Sequence, residues 1–116
     1  CIWGSSLGGL VSFYAALKYP DVFGKVGCFS PAFWINKEEI FQKMENTPKF
    51  KTKIYLLCGD KEDKGNMVGD MKDMETLINS KRCECKKLNK SVIIKDGEHN
   101  EKLWRNAFAK AYLWLF

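Results

Sequence analysis

Apolar and polar positions along the chain switch repeatedly between two periods. Cys1 to Trp3 reads as the tail of a strand, after which Leu10, Val11, Tyr14 and Leu17 recur at helical spacing until Tyr19-Pro20 stops the pattern. Lys25 to Ser30 is a short strand. Asn36 stands as a cap before a helix through Glu38, Ile40, Phe41 and Met44, which Asn46-Thr47-Pro48 ends. Ile54 to Cys58 is an unbroken apolar run bounded by Gly59, the pattern of a strand buried on both faces. Met67, Met71, Met74, Leu77 and Ile78 then repeat at three and four residues, which predicts an amphipathic helix over Asn66 to Asn79 with its methionines as core filler. Ser91 to Lys95 is the last strand, and Glu101 to Phe116 is a closing helix carrying Trp104, Phe108, Ala111 and Leu115 on one face, with Asn100 as its N-cap. Strands alternating with helices predict an α/β fold: about four parallel strands, right-handed crossovers and helices on both faces. With no repeat, linker or low-complexity tract, residues 1–116 read as a single domain.

Composition narrows the function classes. Hydrophobic residues make up 46% and charged residues 28%, the balance of an ordinary globular domain. No run of 18 apolar residues exists to cross a bilayer, and Cys1-Ile2-Trp3 does not open a basic and then apolar leader. Without a start methionine, and opening inside a strand, the chain reads as a piece of a larger protein. The net charge of +5 does not form a basic stripe interleaved with aromatics, so a nucleic-acid partner is not expected. Of the five cysteines, Cys28 and Cys58 lie inside apolar strands as small hydrophobes, which points to a reducing, cytoplasmic setting. Cys83-x-Cys85 lacks the partners of a four-ligand zinc site. Lys81, Arg82, Lys86, Lys87 and Lys90 around it read as a solvated loop.

Gly4-Ser5-Ser6-Leu7-Gly8 fits G-x-S-x-G between a strand end and a helix start, where a sharp turn between small residues lifts a serine hydroxyl above the sheet edge. The competing reading makes Ser6 a helix cap in a glycine-rich turn. A nucleophilic serine needs a base, and the base needs an orienting acid. The chain holds one histidine, His99, just past the last strand. In a parallel sheet all strands end on one edge, so residues following Trp3, Cys58 and Lys95 share that edge. Gly59-Asp60-Lys61-Glu62-Asp63 offers three carboxylates there. The Leu7 N–H is one oxyanion donor, and the second normally comes from a loop after an earlier strand. Phe33 and Trp34, after another strand end, are either an apolar wall for the acyl or alcohol group or core packing.

These residues resemble the carboxyl-terminal half of the Putative esterase branch of the α/β-hydrolases, the group of enterochelin-esterase-like, feruloyl-esterase-like and esterase-D-like enzymes. The matching stretches are Ile2-Trp3-Gly4-Ser5-Ser6-Leu7-Gly8-Gly9-Leu10, Tyr19-Pro20-Asp21-Val22-Phe23-Gly24-Lys25-Val26, Phe29-Ser30-Pro31-Ala32-Phe33-Trp34, Gly59-Asp60-Lys61-Glu62 and Gly97-Glu98-His99-Asn100-Glu101, leading to Trp104-Arg105. The resemblance implies Ser6 as nucleophile and His99 as base, and it favours Glu62 over Asp63 and Asp60 as the acid. Members run to about twice this length or more, which implies that residues 1–116 are a partial domain whose first strands and second oxyanion donor lie elsewhere. The expected activity is ester hydrolysis through an acyl-enzyme, with a small ester as partner, no membrane, and neither metal nor organic cofactor. Acyl transfer by the same residues, or a hydrolase-like module that only binds, are the alternatives.

Overall fold

A computed structural model describes residues 1–48, 51–62, 66–81 and 88–116. Four strands, β1 (Ile2–Ser5), β2 (Lys25–Phe29), β3 (Lys53–Gly59) and β4 (Asn89–Ile94), alternate with the helices α1 (Leu7–Lys18), α2 (Lys37–Glu45), α3 (Asn66–Ser80) and α4 (Glu101–Leu115). A 3₁₀ turn at Phe33–Asn36 leads into α2. The sheet order is β1-β2-β3-β4 and every pairing is parallel, with Gly4 beside Cys28, Cys28 beside Leu56, and Leu56 beside Ser91. Each predicted strand and helix is present, and all four strands end on one rim.

The two faces of the sheet are covered differently. Ile54, Leu56 and Cys58 point with Val26 and Cys28 into a core closed by Phe13 and Leu17 of α1, Met44 of α2, and Met67, Met71, Met74 and Ile78 of α3. Tyr55 and Leu57 point the other way, with Phe29, onto Leu103, Ala111 and Leu115 of α4. Period two on a strand buried from both sides thus yields the continuous apolar run of β3. An aromatic row crosses the α4 face: Trp3 meets Phe29 at 5.1 Å and Phe108 at 4.9 Å, and Tyr55 meets Trp114 at 5.7 Å. Burial raises the thiols of Cys28 and Cys58, the latter to about 12, so both remain protonated packing groups at neutral pH. Asn100 caps α4 by accepting from the Leu103 N–H at 3.0 Å. Asn36 occupies the corresponding place before α2, but its side chain makes no capping bond there. Lys37 at the start of α2 pairs with Asp70 of α3 at 2.7 Å. Of the cationic segment around residue 85, Arg82, Cys83, Cys85, Lys86 and Lys87 lie outside the described residues.

Two close approaches set the rim. A side chain on Gly4 would run into the backbone of Gly8, so β1 and the first turn of α1 meet only because position 4 is glycine. Likewise Gly59 at the end of β3 lies against Gly97 in the loop after β4, with no room between them for a Cβ. That contact joins the loops bearing Glu62 and His99.

Candidate active site

Ser6 stands between β1 and α1 with φ 54° and ψ −122°, a conformation costing a non-glycine residue roughly 1–3 kcal/mol. It is held from both sides. Its N–H donates to the Phe29 carbonyl at 2.9 Å, and its own carbonyl accepts from Gly9, Leu10 and Ala32 at 3.0, 3.2 and 3.1 Å. Although it occupies the N-cap position, the Ser6 side chain makes no capping bond to the helix. Its hydroxyl instead lies 2.8 Å from His99 Nε2.

His99 Nδ1 lies 2.6 Å from Glu62 Oε1. An ionised carboxylate only accepts, so the shared hydrogen resides on Nδ1, leaving Nε2 to accept from the Ser6 hydroxyl. Glu62 is 1% exposed. Burying a carboxylate is costly unless it is hydrogen-bonded, and here both of its oxygens are. Oε2 accepts from the Gly59 N–H at 2.6 Å and from the Ser30 hydroxyl at 2.7 Å.

Asp60 has a different task. Its Oδ1 accepts from the Asp96 N–H at 2.7 Å, while its own N–H donates to the Ile94 carbonyl at 3.1 Å and the Lys61 N–H donates to Gly97 at 3.0 Å. These bonds clamp the turn that presents His99, where Asp96 adopts φ 59°. Asp60 is thereby engaged with backbone, away from the imidazole. Asp63 lies outside the described residues.

Phe33 and Trp34 part company. Phe33 is fully buried and meets Phe13 and Phe41 edge-on at 5.5 and 6.2 Å, so it belongs to the core and not to a substrate wall. The two side chains diverge because the 3₁₀ turn rotates successive residues by about a third of a circle. Trp34 is 42% exposed, with its ring 6.0 Å from that of His99. The Leu7 N–H, first in its helix, has no intrahelical acceptor to engage it.

Two residues at the site went unassigned in the sequence. Ser30 is fully buried at the end of β2 with φ 47°, and the Trp104 indole N–H donates to its hydroxyl at 2.8 Å. Trp104 also meets the His99 ring at 5.1 Å, almost perpendicular at 89°. A polar residue closing an otherwise apolar strand was the available signal for Ser30. Trp104 was disguised by its place in the apolar period of α4.

A hydroxyl on a strained turn, bonded in series to an imidazole and a buried carboxylate, can deliver an alkoxide-like oxygen to an electrophilic carbon. Comparison with known proteins bears on fold and family. The chain is 28% identical over 119 residues to the uncharacterized protein YbbA of Bacillus subtilis (strain 168), covering 97% of this chain and 47% of YbbA. It therefore spans about half the length of that curated relative. In fold it is similar to the enterobactin esterase FES of Shigella flexneri, solved in the presence of enterobactin, with a TM-score of 0.83 at 22% identity over 98% of this chain and 29% of that one. It is similar also to the S-formylglutathione hydrolase FrmB of Staphylococcus aureus, with a TM-score of 0.69 at 22% identity over 97% of this chain and 49% of that one. A family model described as "Putative esterase" matches residues 1–115, from the strand before Ser6 to the end of α4, and by that match the chain belongs to this esterase family.

Proposed function

We propose that the chain is the carboxyl-terminal, catalytic part of a serine carboxylester hydrolase, with Ser6 as nucleophile, His99 as general base and acid, and Glu62 as the group that orients His99. The single observation carrying this reading is the unbroken series from Ser6 Oγ to His99 Nε2 at 2.8 Å and from His99 Nδ1 to Glu62 Oε1 at 2.6 Å. As Ser6 Oγ attacks the ester carbonyl, its proton passes to Nε2, and Glu62 stabilises the resulting imidazolium. The Leu7 N–H donates to the oxyanion, and the second donor comes from polypeptide outside residues 1–116. Collapse returns the proton from Nε2 to the departing alcohol and leaves Ser6 acylated. Water, deprotonated by the same nitrogen, then releases the acid. His99 takes up and hands on each proton in turn, the last returning to Ser6 Oγ as the acid departs, so the proton transfers balance without a metal or organic cofactor.

Trp34 beside His99 favours esters with an apolar or aromatic acyl or alcohol group. Two buried cysteines without disulfides, Cys28 and Cys58, favour a cytoplasmic protein. Among the described residues no helix is long and apolar enough to cross a membrane. The test is covalent. A fluorophosphonate probe should label wild-type protein on Ser6 and leave Ser6→Ala unmarked. Folded wild-type protein that takes up no probe would sink the proposal.

A further inference from the structure

Resting on the hydrolase reading above, we infer that Ser30 and Trp104 are positioning residues that fix the orientation of Glu62 and, through it, the tautomer of His99. Neither touches a reacting atom. Their hydrogen bonds nevertheless run in only one direction. The indole N–H of Trp104 can only donate, so at 2.8 Å it fills a lone pair of Ser30 Oγ. The hydroxyl has a single hydrogen, and at 2.7 Å from Glu62 Oε2, an atom that only accepts, that hydrogen is directed to the carboxylate. The Gly59 N–H, at 2.6 Å, is the second donor to Oε2. With Oε2 filled from two sides, Oε1 is the oxygen left for His99 Nδ1.

The fold commits resources to this relay that packing alone does not require. Ser30 is held at φ 47°, its N–H donating to the Leu57 carbonyl at 2.6 Å, and its side chain is fully buried. Alanine or glycine would fill that position without bringing a hydroxyl to a buried carboxylate. Trp104 comes from the helix that begins two residues after His99, and its ring stands perpendicular to the imidazole at 5.1 Å. One side chain thus limits the tilt of the base and anchors the hydroxyl that steadies the acid.

The experiment compares Ser30→Ala and Trp104→Phe with the wild type in turnover of p-nitrophenyl acetate, each repeated in a Glu62→Gln background. Ser30→Ala should lower kcat about ten- to a hundredfold with KM held within about twofold, the loss appropriate to a hydrogen bond to a charged group. Trp104→Phe, which keeps the ring and removes only the donor, should lower kcat by a smaller factor, about three- to tenfold. In the Glu62→Gln background neither change should cost more than about twofold further, because the group they position is already disabled. An equal loss in both backgrounds, or an unchanged kcat in folded Ser30→Ala protein, overturns the inference. A second readout does not need turnover: His99 is the one histidine of the sequence, so ¹⁵N-histidine labelling isolates its Nδ1–H resonance. That resonance should shift or vanish by exchange in Ser30→Ala, and its persistence at the wild-type position overturns the inference as well. Wild-type protein with no Ser6-dependent turnover would retire the hydrolase reading instead, and the spectroscopic arm would still decide whether Ser30 positions the pair.

Discussion

The core between the sheet and α1–α3 and the rim at the carboxyl ends of the strands obey opposite rules. In the core, Phe13, Met44, Met67, Met74 and Ile78 are all fully buried, apolar, and spaced at the periods of their elements. At the rim stand the three non-glycine residues of positive φ found among the described residues, Ser6 after β1, Ser30 after β2 and Asp96 after β4, together with a carboxylate that is 1% exposed. The positive-φ positions cost stability, and none of these rim features is called for by packing. Local consistency in one region and concentrated departures in the other separate what folds the chain from what it is folded for.

Substitutions can break this contrast in a graded series. The largest effect belongs to His99→Ala, which should cut ester turnover by about four orders of magnitude or more while leaving the melting temperature near wild type, since the imidazole is part-exposed. Steady-state kinetics beside thermal unfolding checks both halves. Glu62→Gln should cost about three to four orders of magnitude in kcat, because the amide no longer enforces the tautomer that leaves Nε2 free. Met74→Ala sharpens the contrast from the other side: unfolding in urea should show a loss of about 2–5 kcal/mol, with kcat of the folded protein unchanged. The smallest effect is expected from Lys37→Met, at the exposed end of the Asp70 pair. Its hydrogen bond to Asp70, and then the charge of Asp70, raise the Lys37 ammonium above its ordinary 10.5. A raised folded value stabilises the protein below the unfolded one and loses that support as pH climbs through the folded one. The wild type should therefore exceed Lys37→Met slightly in melting temperature at pH 7 and converge with it at strongly alkaline pH.

How far the chain could be read follows the same division. Every strand and helix was visible because burial imposes a period, and β3 announced its two covered faces through Ile54 to Cys58 without a polar break. The meeting of Ser6 with His99, 93 residues apart, followed from parallel strands ending on one edge. What period cannot convey is which way a side chain turns within an irregular loop. Period and composition offer Asp60 and Glu62 alike as carboxylates, and only the family resemblance favours Glu62; backbone direction sends one to the Asp96 N–H and the other to the imidazole. Phe33 and Trp34 are likewise adjacent aromatics, separated only by the rotation of a 3₁₀ turn that sends one into the core. Ser30 was hidden by its smallness, and its partner lies 74 residues later in a helix.

The contact between Gly59 and Gly97, with the Asp60 to Asp96 bond beside it, mounts Glu62 and His99 on one bracket. Ser6 is bolted separately, to β2 and to its own helix. Drift between these two mounts opens the gap from hydroxyl to imidazole and also stretches the Ser30 to Glu62 bond, because Ser30 follows the β2 residue to which Ser6 is bolted. Such drift is undone only when both contacts close together, so the two mounts work as one frame.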